Sequence, residues 1–353
     1  MKASLVFQKR LQATPFLIWE TVAKIDGIKG NWVAGVHLAP VILDRLQKSA
    51  LITSTGASTR IEGAHLSDQE VEKLTRGLKI KTWAERDQQE VKGYHELLSN
   101  VFNAWESIPF SESSIKHLHQ EMLKYVEKDA RHRGDYKHAE NKVVAKDSKG
   151  NIIGVVFDPT PPYLTPKQMH ELVEWTSGAL ANGTPHPLLV IGNFIVEFLK
   201  IHPFQDGNGR LSRILTNLLL LKTGYGYVPY VSHEKLIEER KADYYLTLRQ
   251  SQKTFKRGSG NITPWMEFFL SVLLEQAQSG LAILRQENLE QLLSTNQLKV
   301  WQYLGSVAEA APGAIAQKTG VALPTVRQAL KKFLNLKKIQ RLGMGPGVRY
   351  RKI

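Results

Sequence analysis

Apolar residues recur three and four positions apart along most of the chain, the period of a helix with one buried stripe. The pattern predicts helices over 41–54, from Ser67 onward, and over 85–106, 113–126, 166–180, 187–201, 208–223, 233–252 and 264–293. Ser67-Asp68-Gln69-Glu70 has the spacing of a capping box. The later helices open near Ser, Thr, Asn or Pro, residues that satisfy or tolerate the orphan N–H groups of a first turn. One segment breaks the period. Residues 142–146 and 152–157 are rich in β-branched side chains and flank Asp147-Ser148-Lys149-Gly150-Asn151, which predicts a β-hairpin. Pro159, Pro161 and Pro162 then favour a stiff return loop. Residues 3–32, with Trp19 and Trp32, read as a packed arm without chemistry.

From about Leu298 the order becomes helix, helix over 312–319, turn at Gly320-Val321, helix over 323–336, and two short strands around Gly343-Met344-Gly345-Pro346-Gly347. That order resembles a winged helix-turn-helix. Its second helix carries Arg327, Lys331 and Lys332 at a spacing suited to phosphate contacts. The expected fold is mainly α, a helical core with a hairpin flap followed by this terminal domain. The expected divisions are 1–110, 111–275, a helical linker over 276–296, and 297–353.

Composition narrows the classes. A chain of 353 residues with 42% hydrophobic content can bury a sizeable core. It begins without a signal-like apolar run and has no membrane-length apolar stretch, so neither secretion nor a membrane is expected. Cysteine is absent, which removes disulfides and thiolate metal sites and suits the cytoplasm. Charge is uneven: of the formal +14, residues 297–353 hold eleven Lys or Arg against one acidic residue, Glu309. Such a segment is an anion-binding surface in waiting, with nucleic acid the commonest partner. His117 and His119, two apart, project to nearly opposite sides of a helix and cannot chelate one ion together. His132, His138 and His186 read as surface or turn residues. No Gly-x-Ser-x-Gly or Walker pattern occurs.

The chemistry gathers at one loop. Gly207-Asn208-Gly209 immediately precedes a helical pattern, so several backbone N–H groups can point at one anion where the helix dipole is positive. Arg210 and Arg213 are close enough on that helix to flank one phosphate chain. Asp206 supplies a hard oxygen of the kind Mg²⁺ takes. His202 ends the preceding helix, where a neutral imidazole could accept a proton, and Phe204 reads as a core anchor.

The run His202-Pro203-Phe204-Gln205-Asp206-Gly207-Asn208-Gly209-Arg210, completed by Arg213, resembles the signature of the Fic family at every defined position. The resemblance extends over about 131–269. It includes Gly134-Asp135-Tyr136 before the hairpin, Pro161-Pro162 after it and Asp243-Tyr244-Tyr245 downstream. It implies transfer of AMP from ATP to a Ser, Thr or Tyr hydroxyl of a target protein. His202 would be the base, and Asp206 would hold Mg²⁺. Gly207, Asn208, Gly209 and Arg210 would grip the phosphates, with Arg213 on the γ-phosphate. Val143 and Val144 would be the flap positions that hold a target strand, and Tyr244 and Tyr245 would border the adenine. An Asn present near there in some relatives is Gln252 here.

Upstream, Ser58-Thr59-Arg60-Ile61-Glu62-Gly63 is similar to the family's inhibitory motif, in an inhibitory helix near 48–63. Ser58 and Glu62, four apart, are expected to share a helix face, and a Glu62 carboxylate paired with Arg213 would take the partner of the γ-phosphate. The partners implied are target proteins, the chain itself as target or homodimer mate, and DNA through the basic terminal domain. The alternative from another class is a DNA-binding regulator whose core senses nucleotide. Within the family, the alternatives are removal of AMP or use of another phosphate donor.

Overall fold

The computed structural model describes residues 3–12, 14–35, 40–78, 85–141, 143–146, 152–157, 159–256, 260–291, 293–336, 338–343 and 345–353. The chain divides into two compact units, 1–281 and 282–353.

The first unit is a stack of helices. The arm expected over 3–32 is two helices, α1 (Ala3–Gln12) and α2 (Phe16–Gly35), and Arg10 of α1 pairs with Glu197 at 2.9 Å in the interior. The third helix, α3 (Pro40–Ile61), runs seven residues beyond the predicted end and carries Ser58 in its last turn. Glu62 therefore sits in the turn beyond the helix, and Gly63, at φ 106°, reverses the chain. The predicted capping box opens α4 (Asp68–Thr75), with both of its hydrogen bonds in place. Next come α5 (Glu85–Ala104) and α6 (Glu112–Met122). The hairpin is β1 (Val143–Lys146) and β2 (Ile152–Phe157), antiparallel, with Val143 opposite Phe157 and Val144 opposite Val155. Its turn, 147–151, and Lys142 lie outside the described residues.

After α7 (Thr165–Asn182), the pair α8 (Pro187–Ile201) and α9 (Asn208–Lys222) forms the centre, and nearly every side chain on both is buried. Two helices buried on every side need cover on every side. The layers around them include α7 against α8, and α3, α5 and α6 against α9. The helix expected over 233–252 is two, α10 (His233–Glu239) and α11 (Lys241–Gln252). The break falls at Arg240, whose side chain is held by Ser271 and Glu275 at 3.3 and 2.9 Å, a tertiary constraint that local propensity does not announce. The long α12 (Thr263–Gln291) follows.

The second unit has its own core, with Val300, Trp301, Ile315, Val326, Leu330 and Phe333 buried together. Its helices are α13 (Thr295–Gly305), α14 (Pro312–Thr319) and α15 (Leu323–Asn335), with an antiparallel pair β3 (Ile339–Leu342) and β4 (Arg349–Lys352). Ala310 bridges to Tyr350 beside the pair. On α15, Arg327 and Lys331 are exposed, whereas Lys332 donates to Gln297 Oε1 at 3.1 Å.

Candidate active site

The loop between α8 and α9 is held from behind. His202 closes α8 in the left-handed region at φ 52°, and it is the one non-glycine residue with positive φ among those described. Phe204 is fully buried and stacks on His119 with ring centroids 3.8 Å apart. His119 Nε2–H donates to the Asp206 carbonyl at 3.0 Å, while its Nδ1 accepts from the Gly134 N–H at 2.9 Å, which fixes its tautomer. Asn208 folds back, accepting from the Phe204 N–H and donating to the Phe204 carbonyl at 2.9 and 2.8 Å. Its side chain therefore braces the loop, and what it offers an anion is its backbone.

Gly207 takes φ 77°, and a Cβ there would press on the Met122 methyl and His119. A Cβ on Gly209 would collide with the Glu62 carboxylate. Glu62 thus lies directly over the first turn of α9, where free N–H groups and the positive dipole end favour an anion. The same carboxylate accepts from Arg213 Nη2 at 2.7 Å, and Ser58 completes the set. Arg213 Nε donates to Ser58 Oγ at 2.8 Å and Nη2 to the Ser58 carbonyl at 2.9 Å. Arg213 is 2% exposed; burial works against its charge, but Glu62 first, with Tyr244 and Tyr94, outweighs it and holds the guanidinium pKa above its usual value.

Arg210 pairs with Glu90 at 2.6 Å and approaches Asp206 at 3.6 Å. Asp206 in turn faces Arg86 at 2.7 Å and accepts from the Gly207 N–H at 2.6 Å. Burial raises its carboxyl pKa, but Arg210, this N–H and Arg86 outweigh it and hold the pKa below the usual value. Glu90, Asp129 and Asp206 each bring a carboxylate oxygen within 4.8 Å of the others.

His202 Nδ1–H donates to the Leu199 carbonyl at 3.3 Å, which leaves the lone pair on Nε2. Burial, with the Lys137 cation adding to it, pushes the imidazole down to about 4, so it is neutral at neutral pH. Of the expected adenine residues, Tyr244 is 3% exposed and packs against Trp265 and Phe268. Tyr245 is 38% exposed, and its hydroxyl donates to the Ile61 carbonyl at 3.4 Å beside the Glu62 turn. Gln252 is buried and donates to the Val196 carbonyl at 3.3 Å. Val143 and Val144 lie on β1, and their side chains are outside the described residues.

Sequence reasoning missed Arg86, Glu90, His119, Asp129, Lys137 and Asn141. In the sequence His119 reads only as half of a pair with His117 that cannot chelate, and no local pattern announces a ring whose partner is Asp206. His186, expected at a turn, caps α8 by accepting from the Leu188 N–H and contacts Asp26 at 2.8 Å.

Residues 109–220 match the model of the Fic/DOC family. The chain is 30% identical over 121 residues to a probable protein adenylyltransferase of Aquifex aeolicus, covering 33% of this chain and 37% of the relative. Against the protein adenylyltransferase Fic of Drosophila grimshawi it is 24% identical over 247 residues, 68% of this chain and 45% of the relative. It thus spans less than half the length of either. A crystal structure of a Fic family protein from Desulfovibrio desulfuricans shares the fold over 97% of both chains, with TM-score 0.63 and 23% identity.

Proposed function

We infer, from the Fic/DOC-family domain that this chain carries over residues 109–220, that the protein is a nucleotidyltransferase that moves AMP from ATP to protein hydroxyls and is restrained by Glu62. The carboxylate of Glu62 lying over Gly209 and bound to Arg213 carries this reading, because a side-chain anion there marks the place of a phosphate. In the reaction a Ser, Thr or Tyr oxygen attacks the α-phosphorus. The bond to the β-phosphate breaks, pyrophosphate leaves, and the hydroxyl proton passes to His202 Nε2. The 207–209 cradle, through the N–H groups of Asn208 and Gly209, and the freed Arg213 face the charge that grows on the phosphates. Arg210, which pairs with Glu90 and lies near Asp206, belongs to the same phosphate-binding set. Tyr245 is the better placed of the two tyrosines to border a base, and Tyr244 supports it from the core. β1, in a hairpin of two strands, offers an edge at Val143 and Val144 to an extended target segment. Targets are other proteins and the chain itself, and a homodimer belongs to the same reading. The test is label transfer from ATP carrying a radioactive α-phosphate, dependent on His202.

The oxygens of Asp206, Glu90 and Asp129 are hard donors of the kind Mg²⁺ takes, and the guanidinium of Arg86 against Asp206 stands in for a cation. Mg²⁺ bound there would neutralise charge on the nucleotide phosphates. Arg86 must give way for that, and its side chain, 43% exposed, has solvent to swing into. Arg86→Ala should therefore tighten Mn²⁺ binding, read by electron paramagnetic resonance without ATP, by roughly fivefold, the worth of a half-exposed ion pair of about 1 kcal/mol. Unchanged or weaker binding would reject Arg86 as the competing occupant.

For the second unit we propose a winged helix-turn-helix that contacts DNA phosphates through Arg327 and Lys331, supported by their exposure on α15 and the basic excess of 297–353. Anisotropy of a labelled duplex should show steep salt dependence, and Arg327→Ala should lower the slope of log K against log salt by about one. A slope near zero would mean a basic face that serves solubility or protein docking. Among the described residues no helix is long and apolar enough to cross a membrane, and a cytoplasmic setting is proposed.

A further inference from the structure

Four successive carbonyls around His202 are taken by two side chains and one backbone N–H of a single short turn. Lys137 Nζ donates to the Ile201 carbonyl at 3.0 Å, and the Lys137 N–H donates to the Pro203 carbonyl at 2.8 Å. Asn141 Nδ2 donates to the Phe204 carbonyl at 2.9 Å and lies 3.4 Å from the His202 carbonyl. Lys137 Nζ also donates to Asn141 Oδ1 at 2.8 Å, so the two side chains form one unit. Lys137 is 3% exposed, an unusual setting for a lysine unless its ammonium is satisfied, as here by two oxygens.

This unit meets a specific mechanical need. A non-glycine residue at positive φ is held against a local preference of about 1–3 kcal/mol, and it persists only where surrounding bonds over-determine it. His202 at φ 52° is such a residue, and its ring donates to the Leu199 carbonyl at 3.3 Å. With the carbonyls of 201–204 drawn toward Lys137 and Asn141, the backbone through His202 cannot relax to the right-handed region without breaking several bonds at once.

We propose that Lys137 and Asn141 are positioning residues of the transfer reaction, holding the 201–204 backbone so that His202 keeps the strained backbone and the ring orientation that place Nε2 for proton removal. This rests on the reading of His202 as the base. Neither residue is assigned contact with ATP, whose cradle is the separate stretch 207–213. Asn141 stands two residues before β1, so the segment offered to a target strand and the clamp on the base form one continuous piece of chain.

The test uses the full chain carrying Glu62→Gly, with Lys137→Ala, Asn141→Ala and Lys137→Arg added singly. In both alanine variants kcat should fall about 10- to 100-fold, the usual loss when a catalytic group is displaced by a fraction of an ångström to an ångström, with KM for ATP nearly unchanged. Lys137→Arg, which keeps a long cationic donor, should recover most of kcat. In parallel, ¹⁵N-histidine spectra should show the His202 ring leaving its Nδ1–H tautomer in the alanine variants, with the His202→Ala spectrum giving the assignment. Unchanged kcat would overturn the proposal. So would kcat and KM deteriorating together, an arginine variant as poor as alanine, or ring signals that do not move. If Glu62→Gly itself transfers no label, the transfer reading fails, and the histidine spectra still decide whether the clamp orients the ring.

Discussion

Glu62→Gly should raise the label retained from ATP carrying a radioactive α-phosphate by on the order of 10- to 100-fold over wild type, the worth of about 1.5–3 kcal/mol of charge-assisted hydrogen bonding released for the nucleotide. Two effects act in the same direction. The carboxylate leaves the first turn of α9, where it lies over Gly209, and Arg213 Nη2 loses a 2.7 Å partner and becomes available to a phosphate. The stability cost should be modest. Glu62 is 34% exposed on its side chain, and Arg213 keeps both bonds to Ser58, so about 1 kcal/mol or somewhat more is at stake, visible as a small fall in Tm. Glu62→Gln separates charge from bulk. Because it keeps the shape over Gly209 and removes the repulsion, it should label between wild type and glycine. Equal ATP affinity of wild type and Glu62→Gly by calorimetry, together with equal labelling, would exclude Glu62 as the restraint.

His202→Ala on the Glu62→Gly background should remove the label by about 10²- to 10⁴-fold, the range for loss of a general base. ATP affinity should stay close to that of the parent, because the residues that face the phosphates begin at Gly207. Label that survives at parental levels would assign the proton transfer to another group. The pH dependence gives a second reading of the same residue. A base works only when neutral. Burial first, and the Lys137 cation with it, put the imidazole at about 4 instead of 6.5, so the neutral form dominates at every pH above about 4. With Mg–ATP saturating, kcat/KM for the protein target should be flat through neutrality and should fall only as the pH drops toward 4. An acid limb near 6.5 would mean that solvent reaches the ring before the reaction.

What was legible in the sequence was local. Helix period, the capping box at Ser67, the glycine cradle at 207–209 and the limits of α8 depend on residues within about four positions of one another, and that neighbourhood is printed in the chain. The motif around Ser58 and Glu62 was readable as a pattern. Its pairing with Arg213 could be named only through the family resemblance, since the two residues are 151 positions apart. Tertiary structure alone decided the rest. It extended α3 to Ile61 and put Glu62 in the turn beyond it, broke the helix at Arg240 through contacts with α12, turned Arg210 toward Glu90 and Asp206, and sent Tyr244 into the core while leaving Tyr245 outside. It also chose His119, Lys137 and Asn141 to hold the loop. The physical reason is that local bonds choose an element, whereas the partner of a buried polar group is whatever the packing of distant helices brings within about 3 Å of it, and no spacing along the chain encodes that.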